Sequence, residues 1–75
     1  MINKAKKYIK TLTKNEIKKL VEHPDFTELE KWLLIYTYGE KRYVANTCRK
    51  LGLSEPQFHI IQKMALLKLY YICLL

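Results

Sequence analysis

Apolar residues recur along the chain at the three- and four-residue spacing of α-helices. Between residues 29 and 36, and again between residues 44 and 51, the side chains expected to be buried fall at i, i+3, i+4 and i+7, on one helix face. No stretch shows the apolar and polar alternation of a convincing β-strand. The pattern predicts an all-α protein. The two sets are Leu29, Trp32, Leu33 and Tyr36, and Val44, Thr47, Cys48 and Leu51.

Start and stop signals divide this pattern into a small bundle of four to five helices. Helices are predicted over residues 3–10 and 43–51, and three more begin at capping boxes. A proline at residue 24 and glycines at residues 39 and 52 end the helices that precede them. The boxes are Thr13 with Glu16, Thr27 with Glu30, and Ser54 with Gln57.

The chain is short, with 75 residues, and predicts a single helical domain whose residues 1–12 form a basic segment. A domain of this size has no room for a deep, walled pocket, so we expect no enzymatic activity. Cys48, Cys73, His23 and His59 lack the spacing of a zinc site. We therefore expect no metal and no other cofactor, and interpret the cysteines as small buried side chains.

The net charge is +7, and it is unevenly distributed along the chain. Residues 1–19 contain seven lysines and one acid, whereas residues 21–40 contain five acids and one lysine. Such a surplus favours a polyanionic partner, although solvated lysines also serve solubility alone. The N-terminus lacks an apolar leader and the longest apolar stretch is too short for a bilayer, so we expect a cytoplasmic protein without a membrane partner.

The segment "KLGLS" joins two predicted helices through a short turn that contains Gly52. This arrangement is typical of a helix-turn-helix, in which the first helix braces the second and the second enters the major groove of DNA. A plain helical hairpin inside a bundle is the alternative. The small Cys48, four residues before Gly52, favours the helix-turn-helix because it lets the two helices cross closely.

Residues 26–69 resemble region 4 of the sigma-70 family of bacterial sigma factors. The matching pieces, in order, are "FTELE", "YGE", "KLGLS" and "ALLKL". The resemblance implies a DNA-binding helical domain with a C-terminal helix-turn-helix that also touches RNA polymerase. Where the family has an Arg/Glu-rich run, this chain has Glu55, Pro56 and Gln57, and Thr47-Cys48 replaces the usual Ile-Ala pair. We therefore expect that the family's usual promoter element is not read in the usual way.

The prediction that follows is a DNA-binding transcriptional regulator of a bacterium, phage or mobile element, with a recognition helix that starts at Ser54. Gln57 and His59 can bond to base edges, and Glu55 can accept from a cytosine amine. Arginine and lysine side chains around the turn would neutralise phosphates. For each residue an ordinary solvated side chain is the alternative. The predicted DNA-binding residues are Arg42, Arg49, Lys50, Ser54, Glu55, Gln57, His59, Gln62 and Lys63.

The C-terminal half of the last helix is apolar on nearly every side, so it needs burial on more than one side. Either the N-terminal helices cover it, or two chains pair through it as a homodimer, with Leu66, Tyr70 and Leu74 at the interface. The alternative function is a protein-interaction module of the same fold that binds RNA polymerase, a sigma factor or another protein. A cationic membrane-surface peptide is disfavoured because capping boxes specify a folded domain.

Overall fold

The computed structural model describes residues 1–75 as five α-helices with no β-strand. Two wider π-helical turns, Ile35–Gly39 and Tyr70–Leu74, continue the third and fifth helices. The predicted all-α class is confirmed. The helices are α1 (Ile2–Lys10), α2 (Lys14–Leu20), α3 (Glu28–Leu34), α4 (Val44–Leu51) and α5 (Glu55–Leu69).

All three predicted capping boxes form, which explains where α2, α3 and α5 begin. In α2 the backbone N–H of Thr13 donates to Glu16 Oε1 at 2.8 Å, and the backbone N–H of Glu16 donates to Thr13 Oγ1 at 3.2 Å. The hydrogen bond from the Thr13 amide lowers the pKa of the Glu16 carboxyl. Each box satisfies two amides that a helix start would otherwise leave unpaired.

The central helix of the fold is α5, which packs against α1, α3 and α4. One hydrophobic core joins all of these helices, and α1, with Ala5 and Ile9 buried, packs against α5 and against the Tyr70–Leu74 turn that continues it. The sequence predicts that either the N-terminal helices or a second chain covers the apolar end of the last helix, and α1 provides such cover within the chain. The side chains of α5 that are buried in this core are Phe58, Ala65, Leu66 and Leu69.

The predicted buried face of α3 is confirmed at Leu33 and wrong at Trp32, and its other two members, Leu29 and Tyr36, are half-buried. Trp32 was expected in the core, but it is 38% exposed and stacks on Tyr36 at a ring distance of 5.6 Å. The buried residues on α3 and the π-helical turn that continues it are Glu30, Leu33, Leu34, Ile35 and Tyr38. The physical reason is Glu30, a charged residue that the pattern assigns to solvent and that the fold buries against a lysine of α5.

That lysine is Lys68, whose ammonium ties α3 to the end of α5. Its Nζ lies 2.8 Å from Glu30 Oε1 and 2.9 Å from the carbonyl oxygen of Asp25. Burial by itself would raise the pKa of the Glu30 carboxyl, but the hydrogen bonds from Lys68 and Thr27 outweigh burial and lower it. Glu30 therefore stays ionised at neutral pH, as a partner for the lysine that interrupts the apolar end of the chain.

The loop between α3 and α4 turns at an unexpected residue. The predicted glycine stop coincides with the end of the π-helical turn at Gly39, but the backbone becomes left-handed at Lys41, with φ 54°. The flanking amides hold it there: the N–H of Glu40 donates to the carbonyl oxygen of Ile35 and that of Arg42 to the carbonyl oxygen of Tyr36. Lys41 thus occupies a conformation that non-glycine residues adopt at a cost.

Candidate nucleic-acid interface

The turn between α4 and α5 has the geometry that the sequence predicts at Gly52. Its φ and ψ are 67° and 36°, the left-handed conformation, and the N–H of Leu53 donates to the carbonyl oxygen of Cys48 at 2.9 Å. The Cys48 thiol contacts the carbonyl oxygen of Ser54 at 3.9 Å. This turn ends α4, and Ser54 starts α5 at once, so the first turn of α5, residues 55–57, is exposed, while Phe58 in the next turn packs into the core.

The exposed surface of α5 between residues 55 and 64 combines polar and apolar side chains. Glu55 and His59 are exposed and pair one turn apart, with 3.8 Å between Glu55 Oε1 and His59 Nε2. Ile60 and Met64 are 61% and 51% exposed on the side of the helix opposite Phe58. The sequence prediction passed over Ile60 because an apolar residue in a helix is normally assigned to the core.

Three of the predicted DNA-binding residues are already engaged within the chain. Gln57 Oε1 accepts from the backbone N–H and the hydroxyl of Ser54, at 2.9 and 3.1 Å, as part of the capping box. Gln62 Nε2 donates to the hydroxyl oxygen of Tyr38 at 3.0 Å. A bidentate contact from Gln57 to adenine would therefore break the half of the capping box in which the Gln57 side chain accepts from Ser54. Glu55 and His59, which pair only with each other, are the polar side chains of this surface that are bound neither to the helix cap nor to Tyr38.

The predicted phosphate-binding cations divide into two groups. Arg42 donates from Nε to Glu40 at 2.7 Å and lies over the ring of Tyr36, and the Lys50 ammonium lies 5.4 Å from the centre of the same ring. The Arg42 and Lys14 side chains lower the pKa of the Glu40 carboxyl. Arg49 and Lys63 are exposed and have no ion pair within the chain.

The structure adds lysines that the sequence prediction did not assign to the site. Lys6 of α1 lines a shallow depression with His59, Gln62 and Lys63 of α5. A second depression, lined by Lys10, Thr37, Tyr38 and Lys41, adjoins the first through the Gln62–Tyr38 hydrogen bond. The sequence could not show that Lys6 lies near Lys63, because the two residues are far apart along the chain and meet only when α1 packs on α5.

The predicted interface residues at the end of α5 do not share one surface. Leu66 is fully buried between α5 and the rest of the core, so its assignment to an interface between chains is wrong. The cause is the packing of α1 on that side of α5. Tyr70 and Leu74 are half-buried against the same core, and the exposed aromatic residue is Tyr71. The predicted homodimer stays a prediction.

Titratable and metal-binding side chains form no further cluster. Cys48 is buried and Cys73 half-buried, both as free thiols, and burial raises the pKa of the Cys73 thiol. No three His, Cys, Asp or Glu side chains come together in a way that could hold a metal ion. None of the helices has both the length and the apolar character needed to cross a bilayer.

Comparison of the chain with protein-family models, with curated proteins and with solved structures finds no match. The resemblance to sigma region 4 therefore stays a prediction that rests on the quoted motifs.

Proposed function

We propose that the chain binds double-stranded DNA as a transcriptional regulator and docks the first turns of α5 in the major groove. The observation that carries this proposal is the Gly52 turn, after which the first turn of α5 is exposed, together with Arg49 and Lys63, which have no ion pair in the chain. A helix fits the major groove, and free cations on either part of the motif can neutralise phosphates.

Each exposed side chain has a distinct role in this proposal. Arg49, at the end of α4, and Lys63, two turns into α5, contact phosphates and so position the helix without reading sequence. Glu55 and His59 face the base edges. Because Gln57 and Gln62 are engaged within the chain, few side chains remain to read bases, and we expect modest sequence preference rather than a sharply defined site.

The test is fluorescence anisotropy of labelled random-sequence duplex DNA over a series of salt concentrations. We expect affinity to fall steeply with salt, and charge reversal of Arg49 or Lys63 to weaken binding by about tenfold or more, as loss of phosphate contacts predicts. Lys19→Glu is the matched control, since α2 packs mainly on the Ile35–Gly39 turn. Equal effects of Arg49→Glu, Lys63→Glu and Lys19→Glu would refute the docking surface.

A second candidate function is a protein-interaction module that binds RNA polymerase, a sigma factor or another protein without reading DNA. The observation that favours it is the exposed apolar surface along α5, formed by Ile60, Met64 and Tyr71. Exposed apolar residues that recur along one helix side are typical of protein contacts. Absence of DNA binding at low salt, together with salt-insensitive association of the wild type with RNA polymerase, would support this function.

The homodimer belongs to the same proposal, because small helix-turn-helix proteins use two half-sites to gain affinity. Because Leu66 is buried in the core, we propose the exposed Tyr71 as the residue at the dimer interface. Sedimentation equilibrium of the wild type and of Tyr71→Glu tests it. A dimer that the substitution dissociates, with unchanged helix content by circular dichroism, supports the pairing. A monomer at all concentrations refutes it.

A further inference from the structure

Four lysines that are distant in sequence line one side of the molecule. We define the α1 basic surface as Lys6 and Lys10 of α1, Lys41 of the loop before α4, and Lys63 of α5. They surround the two adjoining depressions between α1, α5 and the Ile35–Gly39 turn. No carboxylate lines either depression, so these charges are not neutralised where they meet.

Other lysines of the chain are engaged by the fold in a way that these four are not. Lys14 pairs with Glu40 at 3.2 Å and Lys68 with Glu30 at 2.8 Å. Lys6, Lys10, Lys41 and Lys63 have no ion pair. Four cations gathered without a counter-charge repel one another, and an anionic partner would relieve that repulsion.

A hydrogen-bond donor lies between the two depressions. The Tyr38 hydroxyl accepts from Gln62, but its own proton is donated to no group of the chain. The residue is 8% exposed, and burial raises the pKa of its phenol, with the Gln62 hydrogen bond opposing only part of the shift. The hydroxyl therefore keeps its proton at neutral pH. A phosphate oxygen at this place could accept that proton's hydrogen bond while lysines on both sides balance its charge.

The loop before α4 holds Lys41 in a strained backbone conformation. Lys41 has φ 54°, and the hydrogen bonds of the amides on either side fix that conformation. A glycine would adopt it freely. A strained residue held by its surroundings is more common at functional sites than elsewhere, and here it places a lysine beside Lys10.

We propose that the α1 basic surface binds backbone phosphates of the same DNA duplex that receives α5, which adds a second line of contacts to those of the helix-turn-helix. This inference rests on the proposed function. Lys63 belongs to both surfaces, so the line of phosphates would continue from the recognition helix onto α1. The N-terminal segment is thus a fixed part of the docking face and contributes affinity without sequence preference.

The test compares two double variants of α1 that remove the same charge. Lys6→Gln/Lys10→Gln alters the α1 basic surface, and Lys4→Gln/Lys7→Gln alters exposed lysines of the same helix that line neither depression. In anisotropy titrations with random duplex DNA, each lost phosphate contact reduces the slope of log K against log salt by about 0.9. We expect a reduction of about 1.8 for the first pair and much less for the control pair.

The single variant Lys41→Gly separates charge from backbone strain. Because glycine accepts a positive φ, we expect thermal stability at least equal to that of the wild type, while the salt slope falls by about 0.9.

The outcomes distinguish the two proposals. If the wild type shows no salt-dependent DNA binding, the proposed function fails and this inference fails with it. If the wild type binds but the two double variants have equal slopes, the function stands and the α1 basic surface is refuted, since the lysines would then act only through diffuse charge. An unchanged slope in Lys41→Gly would remove the loop from the contact surface. Circular dichroism of every variant confirms that the helices are retained.

Discussion

Two lysines of α5 have opposite surroundings. Lys63 and Lys68 are five residues apart on one helix. Lys68 reaches Glu30 and the backbone of Asp25 and is fixed between α3 and α5. Lys63 is exposed, has no ion pair, and lies beside Lys6 of α1. One lysine stabilises the fold, and the other is available to a partner.

This difference shows why net charge alone is a poor guide to binding. Several of the cations behind the charge of +7 are occupied inside the chain, among them Lys14, Arg42 and Lys68. The cations that have no ion pair are not spread evenly, and the packing of α1 on α5 brings Lys6 and Lys63 together. Binding to a polyanion should therefore depend on which lysine is removed, and not only on how many.

The largest expected effect concerns Lys68→Met, which keeps the aliphatic part of the side chain and removes the charge. Because Glu30 would remain as a buried, unpaired carboxylate, we expect the free energy of unfolding to fall by about 3 kcal/mol, the lower end for a broken buried pair since Lys68 is partly exposed. Lys63→Met is the matched control on the same helix and should change stability by no more than about 0.5 kcal/mol. Urea unfolding followed by circular dichroism measures both.

A double variant tests whether the unpaired carboxylate is the cause. Glu30→Gln/Lys68→Met should be more stable than Lys68→Met alone, since it leaves no buried charge. If the double variant is as unstable as the single one, lost packing and not the ion pair explains the effect. Equal losses for Lys68→Met and Lys63→Met would remove the contrast between the two lysines of α5.

The same ion pair predicts how stability depends on pH. The folded state lowers the pKa of Glu30 below the ordinary value of 4.5, so the carboxylate contributes stability that is fully present above about pH 4.5 and is lost as the pH falls through the lower, folded value. Glu30→Gln should be less stable than the wild type at pH 7, and the difference should shrink on acidification. Urea unfolding at pH 7 and pH 3 measures it. A difference independent of pH would contradict the ionised pair.

The sequence predicted those parts of the fold that depend on local chemistry. The capping boxes place the starts of α2, α3 and α5, and Gly52 ends α4, because these signals act within a few residues. The burial of Glu30 on α3 was missed for the opposite reason. Its burial depends on a pair between Glu30 and Lys68, and a periodicity argument that assigns every charge to solvent cannot include such a pair.

The candidate site, too, was predicted where local chemistry decides it and missed where helix packing decides it. The sequence correctly predicted the cap that Ser54 and Gln57 form, but it also assigned Gln57 to base reading, and one oxygen does not serve both roles at once. Leu66 was assigned to a surface because its helix is apolar on nearly every side, and the contact with α1 decides otherwise. Lys6 was missed because its place beside Lys63 exists only after α1 packs on α5.

A smaller effect is expected at the turn between α4 and α5. Gly52→Ala forces an alanine into φ 67°, and a Cβ there meets no atom within 4 Å, so the cost is conformational only. We expect a loss of about 1 kcal/mol in thermal or urea unfolding. Gly39→Ala is the control: its Cβ would lie 3.4 Å from the flexible Lys14 side chain, without a positive φ, and should cost less. Equal losses would mean that the left-handed turn is not what specifies the bend.

The smallest expected effect concerns Ile60, the apolar residue on the exposed side of the first half of α5. If that half enters the major groove, Ile60 is placed to contact the methyl groups of thymine, which are the apolar features of that groove. Burial of one methyl-sized group contributes about 0.8 kcal/mol, so alternating A·T duplex should bind about fourfold more tightly than the same duplex with uracil. Ile60→Ala should remove this difference, whereas Arg49→Gln should weaken binding to both duplexes equally. If the wild type binds the two duplexes with equal affinity, Ile60 does not face the bases, and the apolar surface it forms with Met64 and Tyr71 is better explained by a protein partner.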